Sequence, residues 1–139
     1  MVLGGHGDTM VPRTRLATVG GVHIESWIST ERLEEIEDRT RFAGGEIVKL
    51  LGNGSAFYAP AQSAIEMAES YIRDKKRVIP CASLCDGEFG IDGYFIGVPS
   101  VIGSNGVERI LEFDLKDEEK KSLSDTLEAV KKTVEETGL

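Results

Sequence analysis

The sequence predicts an α+β domain in which an antiparallel sheet packs against long helices. Several stretches carry apolar residues at alternating spacings of three and four, which is typical of amphipathic helices. Short β-prone runs separated by glycine-containing turns indicate antiparallel strands. The chain lacks the strand–helix–strand alternation of a parallel sheet, and its length suits one domain over residues 1–139.

The N-terminal segment is predicted to be β-structure. Residues 1–3 resemble the end of a buried strand, and residues 4–8 (GGHGD) form a tight loop after it. The β-prone runs 14–19 and 22–28 flank Gly20-Gly21, so we expect an antiparallel hairpin there. A buried strand followed at once by a glycine cluster is more typical of the middle of a protein than of its start.

Two helices are expected next. Ser29 or Thr30 can cap the first, Gly44-Gly45 predicts a kink or a break in it, and Gly52 ends it. Its apolar face comprises Leu33, Ile36, Thr40, Ala43, Ile47 and Leu50. The second helix is predicted to begin near Ser55 and to stop near residues 74–76, with Pro60 in its first turn. One face of it carries Tyr58, Ala61, Ile65, Ala68 and Ile72.

Strands and a last helix complete the chain. Residues 77–84, 94–98, 100–102 and 107–115 are strand-like, and the Ser-Asn-Gly sequence at 104–106 predicts a hairpin turn before the last of them. Acidic residues alternate with Val107, Leu111, Phe113 and Leu115 in that strand, so we expect one wet and one buried face. A helix from Asp117 follows, with Leu123, Leu127, Val130 and Val134 on one face and Gly138 as its cap.

Charge and composition restrict the partners. The chain has 24 Asp and Glu against 16 Lys and Arg, a formal net charge of −8. This balance argues against a nucleic-acid partner and against an anionic membrane surface, because both require clustered basic residues. With no long apolar segment and no secretory signal, the expected location is cytoplasmic.

The two cysteines are interpreted as structural. Cys81 and Cys85 form a single C-x-x-x-C with no second ligand pair nearby. This pattern falls short of a zinc site or a disulfide framework. We therefore expect half-buried strand thiols and no metal site.

His6 is the candidate catalytic residue. Glycines on both sides leave its side chain with little local cover, and an imidazole titrates close enough to neutral pH to donate or accept a proton. A loop histidine without function is the alternative from local context. Asp8 lies too close to His6 to be assumed its orienting carboxylate and is interpreted as a structural part of the loop.

The wider sequence resembles a known family. Residues 2–12 (VLGGHGDTMVP) resemble the catalytic-histidine motif of the lactate/malate dehydrogenase family. Matching segments continue along the chain, including GSAFYAPA at 54–61, DKKRVIPC at 74–81 and IGSNGVE at 102–108. Together they resemble that family's C-terminal domain. Gly5 before the histidine and the segment 58–60 (YAP) are more similar to the malate branch than to the lactate branch, which usually has an acidic residue before the histidine.

The resemblance implies an activity and its residues. It implies interconversion of malate and oxaloacetate with NAD by hydride transfer, with His6 accepting or donating the proton. Ser55 or Ala56 would contact the substrate, although Ser55 also suits a helix N-cap. The family's orienting aspartate and substrate-clamping arginines precede the histidine, so they are not in this chain.

The chain differs from the family in its lack of a cofactor-binding motif. NAD binding requires a strand, a G-x-G-x-x-G turn and a helix. The nearest match is Gly52-x-Gly54, where Phe57 replaces the third glycine and a helix precedes the turn, so we interpret it as a helix cap. The Rossmann domain is absent, and we expect this chain alone to be inactive.

Three hypotheses follow. The first is the catalytic half of a malate dehydrogenase, which acts on a 2-hydroxy or 2-oxo dicarboxylic acid, needs the missing N-terminal cofactor domain and forms a homo-oligomer. The second is the same part of a lactate or other 2-hydroxyacid dehydrogenase. The third is a non-catalytic, self-associating interaction module, since an isolated domain should expose apolar surface along the helix of Leu33, Ile36 and Ile47.

Overall fold

The main element is an antiparallel sheet covered by helices. The computed structural model describes residues 1–138, apart from the side chain of Asp8. The strands of the main sheet run in the order β2-β1-β6-β5, and β7 pairs with β6. Their bounds are Val2–Gly4 (β1), Met10–Pro12 (β2), Arg77–Asp86 (β5), Asp92–Gly103 (β6) and Gly106–Ile110 (β7). A separate hairpin joins β3 (Thr18–Val19) to β4 (Val22–His23), and the helices are α1 (Thr30–Leu51), α2 (Tyr58–Ile72) and α3 (Asp117–Thr137). The predicted α+β class is confirmed.

The strands differ from the prediction where distant contacts intervene. The two strands predicted at 94–98 and 100–102 are one strand, because β6 pairs with β5 straight through Pro99, which lies opposite Pro80. The hairpin at Gly20-Gly21 is confirmed, but its ladder is only two residues long on each side. The backbone N–H and the hydroxyl of Thr14 both donate to Glu37 on α1, which draws residues before β3 out of the extended conformation.

The last strand of the sheet is shorter than expected. β7 ends at Ile110, and the predicted strand reached residue 115. The hairpin turn before it is confirmed, with Gly103 opposite Gly106. The β6–β7 register has an irregularity between Val101 and Ile102. The expectation that Val107 is buried was wrong: its side chain is exposed on a strand whose described pairing is to β6 on one side.

The helices match the predicted pattern except at two boundaries. The Ser29 hydroxyl accepts the Arg32 N–H at the start of α1, and Gly52 ends the helix with φ +75°. The alternative of a break at Gly44-Gly45 is wrong, since the helix is continuous there, and the alternative of a kink stays a prediction. α2 begins at Tyr58 with Phe57 as its cap residue, so the alternative of Ser55 as a helix N-cap is also wrong.

The core lies between the sheet and α3. Seven buried residues form it: Leu3, Val11, Cys85, Ile91, Ile96, Val98 and Leu123. Large apolar side chains elsewhere stay exposed, among them Phe42 and Leu50 on α1 and Tyr58, Ile65 and Ile72 on α2. The expected exposed surface on α1 is present at Ile47, but Leu33 is buried, which corrects the prediction for that residue. In the described part of the chain, no helix is both long and apolar enough to span a bilayer.

Candidate functional site

His6 lies at the tip of the loop that joins β1 to β2. The two strands are antiparallel, with Gly4 opposite Met10, so residues 5–9 form the whole connection. Gly4 and Gly7 have φ values of +84° and +75°, which favour glycine, and they turn the chain on either side of the histidine. The His6 side chain is exposed, as the flanking glycines predict.

Hydrogen bonds from three elements hold this loop. Within it, the Thr9 hydroxyl donates to the His6 carbonyl over 3.2 Å. From α3, the Thr126 hydroxyl lies 2.9 Å from the Thr9 carbonyl oxygen. From α1, Arg41 Nε donates to the Met10 carbonyl over 3.3 Å. The loop is therefore fixed to both helices, while the imidazole at its tip remains accessible.

A shallow cleft of about 300 Å³ lies between the loop and α3. His6, Gly5 and Thr9 line one side, and Ala129 and Val130 on α3 line the other. An exposed imidazole beside a mostly apolar wall can exchange a proton with a small molecule bound in the cleft. No local sequence signal indicates that α3 forms this wall, because more than a hundred residues separate it from His6.

A second polar cluster, which the sequence did not predict, lies beyond the far end of β2. Arg15 Nε and Nη2 each lie 2.7 Å from one carboxylate oxygen of Glu119, and Arg13 Nη1 lies 3.4 Å from the same group. Glu119 is 1% exposed. The hydrogen bond from Arg15 is the main reason that the pKa of Glu119 is lowered from 4.5 to about 2. Burial lowers the pKa of Arg13, whose Nε is buried and has no hydrogen-bond partner among the described residues.

This cluster is structural and separate from the His6 cleft. It joins residues 13–15 to the first turn of α3, while His6 lies at the other end of β2. The Glu119 carboxylate pairs with both arginines, at 3.4 Å from Arg13 and 2.7 Å from Arg15, and so ties them to the start of α3.

Comparison with known proteins identifies the family. The model for the "lactate/malate dehydrogenase, alpha/beta C-terminal domain" matches residues 1–138. The chain belongs to the lactate/malate dehydrogenase family.

Two curated relatives of the chain are named malate dehydrogenase. The chain is 58% identical over 139 residues to malate dehydrogenase 1 of Anaeromyxobacter dehalogenans and covers 45% of that protein. It is 54% identical over 134 residues to malate dehydrogenase of Rhodopirellula baltica, where 96% of this chain aligns with 42% of the relative. The chain thus spans less than half the length of these curated relatives.

Solved structures of the family have the same fold. Malate dehydrogenase from Salinibacter ruber matches 99% of this chain and 45% of its own, with a TM-score of 0.95 and 48% identity. Lactate dehydrogenase from Eimeria maxima, solved with NADH and oxamate, matches 99% of this chain and 44% of its own, with a TM-score of 0.94 and 42% identity. Both branches therefore share this domain.

The other predicted site residues lie on the α1–α2 connection. Ser55 is exposed and its carbonyl accepts the N–H of Phe57 over 3.0 Å, while Ala56 is half-buried. Neither residue is among the described residues that line the cleft beside His6. Their role in binding substrate stays a prediction. The Asp8 side chain lies outside the described part of the structure. The structural role expected of Asp8 in the loop therefore stays a prediction.

The residues of this family member do not fit an NAD site. The pairings of the main sheet are all antiparallel, whereas a dinucleotide cradle follows a parallel strand. Gly52 caps α1, in agreement with its interpretation as a helix cap, and Gly54 belongs to the loop after it. The described residues also include no group of three or more potential metal ligands among His, Cys, Asp and Glu.

Proposed function

We propose that this chain is the C-terminal, substrate-binding part of an NAD-dependent malate dehydrogenase, which interconverts malate and oxaloacetate. The observation that carries the proposal is the 58% identity to a malate dehydrogenase over all 139 residues, together with an exposed histidine at the matching motif. The hydride acceptor is NAD, held by a part of the enzyme outside this chain.

His6 is the proposed acid and base. Oxidation of malate requires an acceptor for the hydroxyl proton, and reduction of oxaloacetate requires a donor to the carbonyl oxygen. An accessible imidazole serves both directions because a ring nitrogen can accept a proton from the substrate hydroxyl and, once protonated, can return it to the carbonyl oxygen. In this proposal Ser55 or Ala56 contacts the bound dicarboxylic acid from the α1–α2 connection.

A chimera tests the proposal. The N-terminal part of the Anaeromyxobacter dehalogenans relative, ending just before the residue aligned with Met1, is fused to this chain. We expect NADH-dependent reduction of oxaloacetate, and we expect His6→Asn to lower kcat by about 10²- to 10⁴-fold, the usual contribution of general acid–base catalysis. His23→Asn is the matched control, because His23 lies in the separate β3–β4 hairpin and should leave kcat unchanged.

The isolated chain supplies the other half of the test. Without a dinucleotide cradle it should neither bind NADH appreciably nor reduce oxaloacetate. Saturable turnover by the 139-residue chain, lost in His6→Asn, would overturn the proposal that NAD is bound by a part of the enzyme outside this chain. A chimera that folds and binds NADH but whose turnover is unchanged by His6→Asn would overturn the assignment of His6.

A lactate or other 2-hydroxyacid dehydrogenase is the second candidate. The likeness to the Eimeria maxima lactate dehydrogenase, with a TM-score of 0.94, favours it. The deciding measurement is the ratio of oxaloacetate to pyruvate turnover by the chain expressed with any in-frame coding sequence that precedes the Met1 codon. A site that pairs an arginine with the second carboxylate should discriminate by orders of magnitude.

Exposed apolar faces support protein partners for this domain. Tyr58, Ile65 and Ile72 lie exposed along α2, and such surface is usually covered in a working assembly. We propose a cytoplasmic homo-oligomer in which this domain also packs on the cofactor-binding part. Sedimentation of the isolated chain separates the third hypothesis: a discrete dimer or tetramer supports a self-associating module, and polydisperse aggregation supports a domain that needs the rest of the enzyme.

A further inference from the structure

Thr126 on α3 contacts the loop of residues 5–9, which carries His6 and is called the His6 loop below. It is 2% exposed, and its hydroxyl oxygen lies 2.9 Å from the Thr9 carbonyl and 3.0 Å from the Ser122 carbonyl. Ser122 lies four residues earlier, so in a regular α-helix its carbonyl already accepts the backbone N–H of Thr126. The Thr126 hydroxyl has one proton, and we therefore infer that it donates this proton to the Thr9 carbonyl, which lies in the loop.

The Thr126 side chain also limits how close the loop can come to α3. A Cβ atom added to Gly4 would lie 3.1 Å from Thr126 Oγ1 and 3.3 Å from its Cγ2. A Cβ atom added to Gly5 would lie 3.4 Å from the same methyl group. The loop therefore has no room for a side chain on the face toward Thr126, so it cannot come much closer to the helix, while the hydrogen bond to Thr9 opposes movement away.

The other anchors of the loop are weaker. The bond from Thr9 Oγ1 to the His6 carbonyl is 3.2 Å long, lies within the loop and is exposed. Arg41 Nε reaches the Met10 carbonyl over 3.3 Å at the end of the loop, and its guanidinium also pairs with Asp38. The Thr126 bond is the shortest of the three, and it is made by a buried side chain.

We propose that Thr126 is a positioning residue for His6, which it holds in place through Thr9. This inference rests on the proposed function of His6. Proton transfer requires the donor and acceptor atoms to lie about 2.6–3.2 Å apart, so a loop free to move by an ångström transfers the proton more slowly. Loss of the Thr126 hydroxyl should therefore lower kcat more than it raises KM.

The test compares three variants. Thr126→Val removes the hydroxyl at nearly constant volume, and Thr126→Ser keeps the hydroxyl. Thr40→Val is the matched control, because the Thr40 hydroxyl donates only to Ile36 within α1. In the chimera, kcat and KM for oxaloacetate are measured. In the 139-residue chain, hydrogen exchange is measured at the Met10 amide, which donates to the Gly7 carbonyl inside the loop.

We expect Thr126→Val to lower kcat by about tenfold and to speed Met10 exchange by about tenfold, the scale of one lost hydrogen bond. KM should stay within about twofold, and Thr126→Ser and Thr40→Val should stay within about twofold of the parent in all three quantities.

Any one of four results would overturn the inference. An unchanged kcat in Thr126→Val means that the hydroxyl does not position His6. Equal losses in Thr126→Val, which keeps the methyl group, and in Thr126→Ser, which keeps the hydroxyl, assign the effect to a general disturbance of packing at this position and not to the hydroxyl. A rise in KM alone assigns it to substrate binding. If the parent chimera itself has no activity, the proposed function fails, and an unchanged Met10 exchange rate in Thr126→Val would separately show that the hydroxyl does not hold the loop.

Discussion

Glu119→Gln tests the buried cluster that fixes the start of α3. In the parent chain the carboxylate accepts two hydrogen bonds of 2.7 Å from Arg15 and one of 2.8 Å from the Lys116 N–H, and Arg13 lies 3.4 Å away. Glutamine keeps the volume but removes the negative charge, leaving two positive guanidinium groups without their counter-charge. Removing one partner of a buried ion pair is strongly destabilising for this reason.

The size of the effect follows from the pKa of Glu119. Folding lowers it from 4.5 to about 2, and at about 1.4 kcal/mol per pKa unit this corresponds to about 3 kcal/mol of stability at pH 7. Because the folded pKa is the lower one, this contribution is complete above pH 4.5 and is lost as the pH falls toward 2. At pH 3 about 1 kcal/mol remains.

Urea unfolding followed by circular dichroism measures the prediction. At pH 7, Glu119→Gln should be less stable than the parent chain by about 3 kcal/mol, or about 10 °C in Tm for a domain of this size. The difference should shrink as the pH is lowered toward 3. Glu128→Gln is the control, since Glu128 forms an exposed pair with Lys131 and should cost less than about 0.5 kcal/mol. A loss below about 1 kcal/mol at pH 7, or one independent of pH, would refute the reasoning.

Two further predictions concern packing and thiol chemistry. A Cβ atom at Gly97 would collide with the Gly4 carbonyl oxygen across the β1–β6 pairing, so Gly97→Ala should cost at least about 2 kcal/mol in urea unfolding. Gly44→Ala points into open space from α1 and should instead stabilise by about 0.5–1 kcal/mol; equal effects of the two would contradict the packing argument. Burial raises the pKa of the Cys85 thiol, and Cys81 is only half-buried, so an aromatic disulfide reagent should modify Cys81 in the native chain and both thiols only in urea. Fast native modification of Cys85 would contradict its burial.

The sequence predicted one side of the candidate site but not the other. The glycines around His6 predict an exposed imidazole at the end of a strand, and the structure has this arrangement. The opposite wall of the cleft is formed by α3 residues such as Ala129 and Val130. Their spacing predicts a helix but not which loop the helix contacts, because periodicity describes one element and not its neighbours.

Glu119 shows the same limit for charge. From the sequence it is one of three acidic residues that favour the first turn of a helix. In the structure it is nearly inaccessible to solvent and paired with Arg15, 104 residues earlier in the chain. Nothing in either local segment distinguishes this pair from ordinary surface charges.

Features that depend on near neighbours in the chain could be predicted from the amino-acid sequence. These include the ends of α1 at Ser29 and Gly52, the hairpin before β7 and the exposure of His6. Hydrogen bonds and steric limits among residues a few positions apart are sufficient to specify them.

Features that depend on distant segments became visible in the folded structure. The passage of β6 through Pro99, the burial of Glu119 and the contact of Thr126 with the His6 loop all require elements far apart in the chain to meet. In such cases, burial and pairing depend on which surfaces pack against each other. This packing is a property of the whole fold, so the spacing of residues within one segment does not predict it.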